Sequence, residues 1–285
     1  MPNIAPPPLP GIVLDPIVRL ALSEDLGRAG DLTTDATIAP GTQLLAHIRA
    51  RQTGVLAGMD AAAHTLSCIC TNVELEQKIQ DGGRLEPGAI IASMSGDARS
   101  ILIAERTMLN FLGRLSGIAT LTSKYASAIA HTKAKVVCTR KTTPGHRAVE
   151  KRAVRCGGGT SHRYGLDDAI LIKDNHIAAC GSISDVLERA HSYAGHLRMI
   201  EVEVDTLEQL KAALPHKPHA VLLDNMSPDL LREAIEIIDG QCVAEASGGI
   251  TLETIVDVAE TGVDYISVGA LTHSATNLDV GLDIL

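Results

Sequence analysis

RMIEVEVDTLEQLKAALPHKPHAVLLDN, residues 198–225, contains a short apolar run, a polar residue at its end, a helical stretch, and then a second apolar run. Buried β-branched runs separated by helical stretches form parallel strands, because a parallel neighbour is reached only through a crossover. The same phrase recurs outward from there. AKVVCT (134–139) and AILIKD (169–174) precede it, and CVAEASG (242–248) and YISVGAL (265–271) follow. Six such runs predict a parallel α/β barrel. They share no fixed sequence period, which argues against a solenoid.

The first third of the chain has another rhythm. An amphipathic helix near Asp15–Leu26 is followed by the turn-rich GRAGDLTTDA (27–36). Short alternating segments come next, around Gln43–Arg51, Val73–Gln77 and Ala89–Met94. This pattern predicts an α+β domain with a small mixed or antiparallel sheet. From about Asp97 to Ala130 the apolar residues fall three and four apart, a helical period that Gly113 and Gly117 are expected to interrupt or kink. MPNIAPPPLPG at the start has neither the basic beginning nor the apolar core of a signal peptide, and reads as a disordered lead-in.

Composition narrows the function. With 45% apolar and 21% charged residues, the 285-residue chain can bury a large core, unlike a disordered or disulfide-stapled one. Its formal charge of −9 and its lack of Trp oppose general binding to nucleic acid or anionic membranes. No apolar stretch reaches the ~18–20 residues of a membrane helix. Cys68, Cys70, Cys138, Cys156, Cys180 and Cys242 form no zinc-like or Cys-x-x-Cys spacing, which points to a reducing, cytoplasmic compartment.

Within this acidic protein, residues 135–173 are basic. Lys135, Arg140, Lys141, Arg147, Lys151, Arg152, Arg155, Arg163 and Lys173 face only Glu150, Asp167 and Asp168. Lys151, Arg152 and Arg155 read equally well as a solvated helix face. Arg140, Lys141 and Lys173 directly follow apolar runs, where barrel enzymes place their reactive groups, and are functional candidates. A basic pocket in an acidic protein suits a small, multiply charged anion. Glu203 and Asp224 end neighbouring strands. They either cap helices and pair with lysines, or hold magnesium and steady a developing cation. Glu201 has the same strand parity as Glu203, and the sequence does not choose between them. Ser247–Gly248–Gly249 follows a strand, is expected to open a helix, and with Gly269–Ala270 suits a phosphate. The Gly157–Gly158–Gly159 triplet is a weaker anion cradle, followed by His162 as a candidate ligand contact. HExxH, Gly-x-Ser-x-Gly and GxxxxGK[ST] are absent, which removes the main support for metal-hydrolase, serine-hydrolase and P-loop readings.

TRKTTPGHRAVEKRAVRCGGGTSHR (139–163), joined to LIKDNH, EVEV, LLDN and EASGGI, resembles the quinolinate phosphoribosyltransferases of the type II phosphoribosyltransferase family. EDLGRAGDLTTDA (24–36), GVLAGM (54–59) and AERTMLNFLGRLSGIAT (104–120) extend the resemblance over roughly residues 15–285. It implies an N-terminal α/β sandwich domain (15–117), and the Pro-rich start (1–14), read from its composition as a disordered lead-in, lies outside it. An incomplete barrel of about seven strands (118–272) would carry the active site, and residues 273–285 would pack back on the first domain. It further implies a homodimer or larger assembly with a site shared between subunits.

The implied reaction joins quinolinate to phosphoribosyl pyrophosphate with loss of carbon dioxide and pyrophosphate, giving nicotinate mononucleotide for NAD biosynthesis. Arg140, His162, Arg163 and Lys173 would hold the two ring carboxylates, and Arg106 would reach in from the neighbouring subunit. Lys141 would sit near the pyrophosphate and its Mg2+, or bridge towards quinolinate. Glu203 and Asp224 would meet the ribose hydroxyls and the metal. Ser247, Gly248 and Gly249, with Gly269 and Ala270 opposite, would hold the 5′-phosphate. Thr139 and Val268 complete the implied substrate contacts. The rival readings are a same-fold phosphoribosyltransferase for another substrate, an aldolase-like barrel with Lys173 as Schiff-base nucleophile, and an anion-sensing barrel without turnover.

Overall fold

The computed structural model describes residues 6–285. In chain order the elements are α1 (Gly11–Leu26), α2 (Leu32–Thr37), β1 (Gln43–Ala50), β2 (Gly54–Val55), α3 (Met59–Ile69), β3 (Val73–Gln77), β4 (Arg84–Leu85), β5 (Ile90–Asp97) and α4 (Ala98–Ala128). β6 (Lys135–Val137), α5 (Arg147–Cys156), β7 (Ile170–Ile172), α6 (Asp174–Cys180), α7 (Ile183–Tyr193), β8 (Ile200–Val204) and α8 (Leu207–Ala213) follow. The chain ends with β9 (Ala220–Asp224), α9 (Pro228–Ile238), β10 (Val243–Ser247), α10 (Ile255–Ala259), β11 (Tyr265–Ser267), α11 (Ala270–His273) and β12 (Val280–Ile284). They divide into two compact units. The first holds the chain up to Ser123 with Thr142–Gly158 and Leu271–Leu285; the second holds Lys124–Lys141 and Gly159–Ala270.

The first unit is built on an antiparallel sheet of order β12-β1-β5-β3. Alternate β1 residues Ala46, Ile48 and Ala50 are buried, and Ile48 joins Leu66, Ile91, Met94, Met108 and Leu112 in one core. Truncating any of the large members to Ala costs about 2–5 kcal/mol. α4 runs unbroken through Gly113 and Gly117, contrary to the expected interruption. A Cβ at Gly117 would lie 2.0 Å from the Thr276 carbonyl oxygen, so the glycine serves close packing rather than a break. Gly157 has a similar role, since a Cβ there would meet the Ala119 carbonyl at 2.3 Å.

Two sequence expectations fail in this unit. Lys151 and Arg152 are buried (4% and 8% exposed), so only Arg155 of that trio fits a solvated face. Arg152 bonds the Asp81 carboxylate, lies 3.2 Å from Asp60, and donates to the carbonyls of Pro7 (3.0 Å) and Pro6 (3.2 Å). Leu9 N–H donates to Asp60 at 2.9 Å. The proline-rich segment is therefore anchored from Pro6, and residues 11–14 already belong to α1; of the expected disordered lead-in, residues 1–5 lie outside the described residues. The prolines there lack N–H groups to satisfy, which leaves their carbonyls available to a buried guanidinium.

The second unit is a parallel sheet of order β6-β11-β10-β9-β8-β7, and each of the six apolar runs is one of its strands. Thr160 adds an isolated parallel bridge to Val137 beyond β6, so six strands and a bridge stand where about seven strands were expected. The C-terminal ends of all six strands line one cavity, which requires the sheet to curl into an incomplete barrel. Among the described residues no disulfide forms, and no helix is long and apolar enough to cross a membrane.

Candidate active site

Side chains alternate along a strand, so residues two apart face the same side. This places Leu171 and Lys173 together at β7, Glu201 and Glu203 on β8, Leu222 and Asp224 on β9, and Glu245 and Ser247 on β10. The cavity they surround, of about 290 Å³, is lined by Thr139, Arg140, Lys141, His162, Arg163, Lys173, Glu203, Asp224 and Ser247. Leu171, Leu222, Glu245 and Ser267 complete the lining. Nine of the predicted residues thus meet around one space.

The others are placed differently. Gly248 and Gly249 form the turn after β10, with φ of +99° and +59°. A Cβ at Gly248 would lie 2.2 Å from Asn225 Oδ1, so no larger residue fits that turn. The turn does not open a helix directly, as had been expected. Thr251–Thr254 intervenes, and α10 is only five residues long. Gly269 immediately precedes α11, whose first residue is Ala270. Val268 is buried and its N–H is taken by the Val137 carbonyl (3.0 Å). Arg106 is exposed on α4, in the first unit.

The cavity is electrostatically unbalanced. Arg140 and Arg163 lie close enough that burial and the Arg140 charge together lower the pKa of Arg163. Arg163 spends one N–H on the Ala169 carbonyl (3.1 Å), but the buried Nε of each arginine finds no acceptor in the protein. Buried donors are nearly always satisfied, so two together, on like charges, mark a place for an anion. Lys173 is ion-paired through Nζ with Glu203, which faces the cavity.

Glu201 takes a different position from Glu203. It is buried and receives the His162 Nε2–H at 2.9 Å, while Glu245 Oε1 lies 3.6 Å from the same nitrogen. Burial and the neighbouring Glu201 charge push the Glu245 carboxyl up to about 7. His162, Glu201 and Glu245 each offer one donor atom, all within 4.8 Å, but the short His162–Glu201 contact is already a hydrogen bond. Sequence reasoning missed Glu245 and Ser267. The signal was present, because Glu245 precedes Ser247 by two and Ser267 precedes Gly269 by two.

The curled parallel sheet and its cation-lined mouth define a barrel enzyme for a small, multiply charged anion. Residues 31–116 match the quinolinate phosphoribosyl transferase N-terminal domain, and residues 118–283 match the C-terminal domain. The chain belongs to the quinolinate phosphoribosyl transferase family. The nicotinate-nucleotide pyrophosphorylase [carboxylating] of Mycobacterium leprae is 45% identical over 94% of this chain and 95% of its own. A probable nicotinate-nucleotide pyrophosphorylase [carboxylating] of Bacillus subtilis is 44% identical, over 92% and 90% respectively. The solved nicotinate-nucleotide pyrophosphorylase of Francisella tularensis superposes with a TM-score of 0.93 at 39% identity, covering 97% of this chain and 98% of that one.

Proposed function

We propose that this chain is a carboxylating nicotinate-nucleotide pyrophosphorylase, transferring the phosphoribosyl group of phosphoribosyl pyrophosphate to the ring nitrogen of quinolinate with decarboxylation. The observation that carries the reading is the pair of adjacent, half-buried arginines, each with a buried and unspent Nε donor. A vicinal dicarboxylate needs several donors on one side, and Arg140, Arg163, His162 and Lys173 line a single cavity.

The chain's own part in the reaction is orientation and charge placement. The cation cluster fixes the pyridine ring by its carboxylates, so that the ring nitrogen faces the sugar. Glu203 and Asp224 meet the ribose hydroxyls, and their negative charge favours the cationic sugar that develops as pyrophosphate leaves. Lys141 holds the departing pyrophosphate, and Ser247–Gly249 with Gly269–Ala270 holds the 5′-phosphate. Once alkylated, the ring nitrogen is cationic and stabilises the electron pair left when the adjacent carboxylate departs as carbon dioxide, and that carbon then takes a proton from water. Two carboxylates at neighbouring strand ends, both lining the cavity, are hard oxygen donors that fit Mg2+. When bound, Mg2+ would neutralise charge on the pyrophosphate.

The ion pair of Lys173 with Glu203 disfavours the aldolase-like alternative, whose nucleophile is an unpaired neutral amine. The acidic composition supports an enzyme without nucleic-acid or membrane partners, and the unpatterned cysteines support a cytoplasmic one. We further infer a homodimer or larger assembly in which the exposed Arg106 serves a partner's cavity.

The decisive experiment is turnover with phosphoribosyl pyrophosphate, with and without Mg2+, comparing quinolinate with nicotinate. Equal yields of nucleotide and carbon dioxide from quinolinate, little product from nicotinate, and loss of activity without Mg2+ are expected. Nicotinate turning over as well would overturn the two-carboxylate clamp. For the shared site, Arg106→Ala mixed with Lys173→Ala should regain part of the lost activity through hybrid assemblies. No recovery despite demonstrated subunit exchange would reject it.

A further inference from the structure

His162 stands on irregular chain between the Thr160 bridge and β7, where no backbone ladder fixes it. Its ring is instead held by side chains from two regular strands. Glu201 on β8 receives Nε2–H at 2.9 Å, and Glu245 on β10 approaches the same nitrogen at 3.6 Å. The nitrogen at hydrogen-bond distance from the Glu201 carboxylate carries the hydrogen, and with Glu245 packed beside it the contact fixes both the tautomer and the ring plane.

The arrangement is costly to the fold. Glu201 and Glu245 are 9% and 5% exposed, and Glu245 Oε1 is buried without a hydrogen-bond partner in the protein. Elsewhere the protein buries carboxylates against arginine: Glu150 accepts from Arg114 at 3.0 Å, and Asp81 from Arg152. At the cavity it buries two carboxylates, Glu245 in the lining and Glu201 behind it, against a histidine of the site itself. Nothing in the packing of β8 or β10 requires a charge there, since the other buried residues of these strands are apolar: Ile200, Val202, Val204, Ala244 and Ala246.

We propose that Glu201 and Glu245 are positioning residues for quinolinate, clamping His162 from the cavity wall so that a loop histidine meets a substrate carboxylate in one fixed orientation. This rests on the reading of the cavity as the quinolinate site. The two carboxylates act through His162 and not on phosphoribosyl pyrophosphate, so their removal separates the two substrates kinetically.

Two readouts test the proposal on the full-length enzyme. In the unliganded protein with 15N-labelled histidine, long-range proton–nitrogen spectra should show His162 protonated at Nε2, with the signal assigned by its loss in His162→Asn. Glu245→Gln and Glu201→Gln, each near-isosteric, should replace that single form by an exchanging mixture; an unchanged ring signal in both overturns the clamp. In steady-state kinetics either variant should raise KM for quinolinate roughly tenfold while KM for phosphoribosyl pyrophosphate moves less than about twofold. Equal rises in both KM values overturn the assignment. In a His162→Asn background, Glu245→Gln should add no further loss, and an additive loss shows that Glu245 does not act through His162. If Glu245→Gln does not fold, Glu201→Gln carries every arm. Failure of the wild-type enzyme to turn over quinolinate strikes the functional reading alone, because the spectra still decide whether the ring is clamped.

Discussion

Arg152 and Arg163 belong to the same basic stretch of sequence and have opposite surroundings. Arg152 is enclosed by Asp60, Asp81 and the carbonyls of Pro6 and Pro7, which take up its donors. Arg163 is beside another arginine, gives one N–H to the Ala169 carbonyl, and keeps a buried Nε without an acceptor in the protein. A buried cation whose hydrogen bonds are spent within the fold is structural; one whose bonds are unspent awaits an anion. Arg152 is the more buried of the two, but what separates their roles is the partners each finds.

The comparison breaks most visibly at Arg152. Arg152→Met strands two buried carboxylates and should lower unfolding free energy by about 3–5 kcal/mol, measured by urea denaturation, with KM for quinolinate unchanged in the folded fraction. Arg163→Met should do the reverse. It relieves repulsion from Arg140, so the melting temperature should hold or rise, while KM for quinolinate climbs roughly a hundredfold. If both variants lose stability alike, the distinction between spent and unspent arginines is lost.

A smaller effect sharpens it. Glu245 has its pKa raised from the ordinary 4.5 to about 7, so the folded state keeps a proton that the unfolded chain releases. Wild-type stability from this group is therefore present below about pH 4.5 and is lost as pH rises through about 7. The melting temperature of Glu245→Gln relative to wild type should rise between pH 5 and pH 8. A constant difference would mean that Glu245 is not the group that titrates.

Much of the second unit was legible because strand parity and strand ends are local properties. Lys173, Glu203, Asp224 and Ser247 each follow or end an apolar run, and the barrel brings those ends together. Parity alone could not rank Glu201 against Glu203, since depth along a strand depends on stagger between strands. Nor could it show that Glu245 sits beside His162, which lies on a loop. The burial of Arg152 was hidden for a plainer reason: Asp60 and Asp81 lie far away in sequence, and helical periodicity carries no sign of them. The proline-rich start misled because composition registers missing N–H groups and ignores available carbonyls.

β12 completes the first sheet as an edge strand, covering β1 with Ala46 opposite Ile284. On the ribosome, then, β1 must wait with one edge bare until the entire barrel has emerged. Such a strand is open to pairing with another chain, and in this protein a segment made after the barrel is the one that covers the β1 edge.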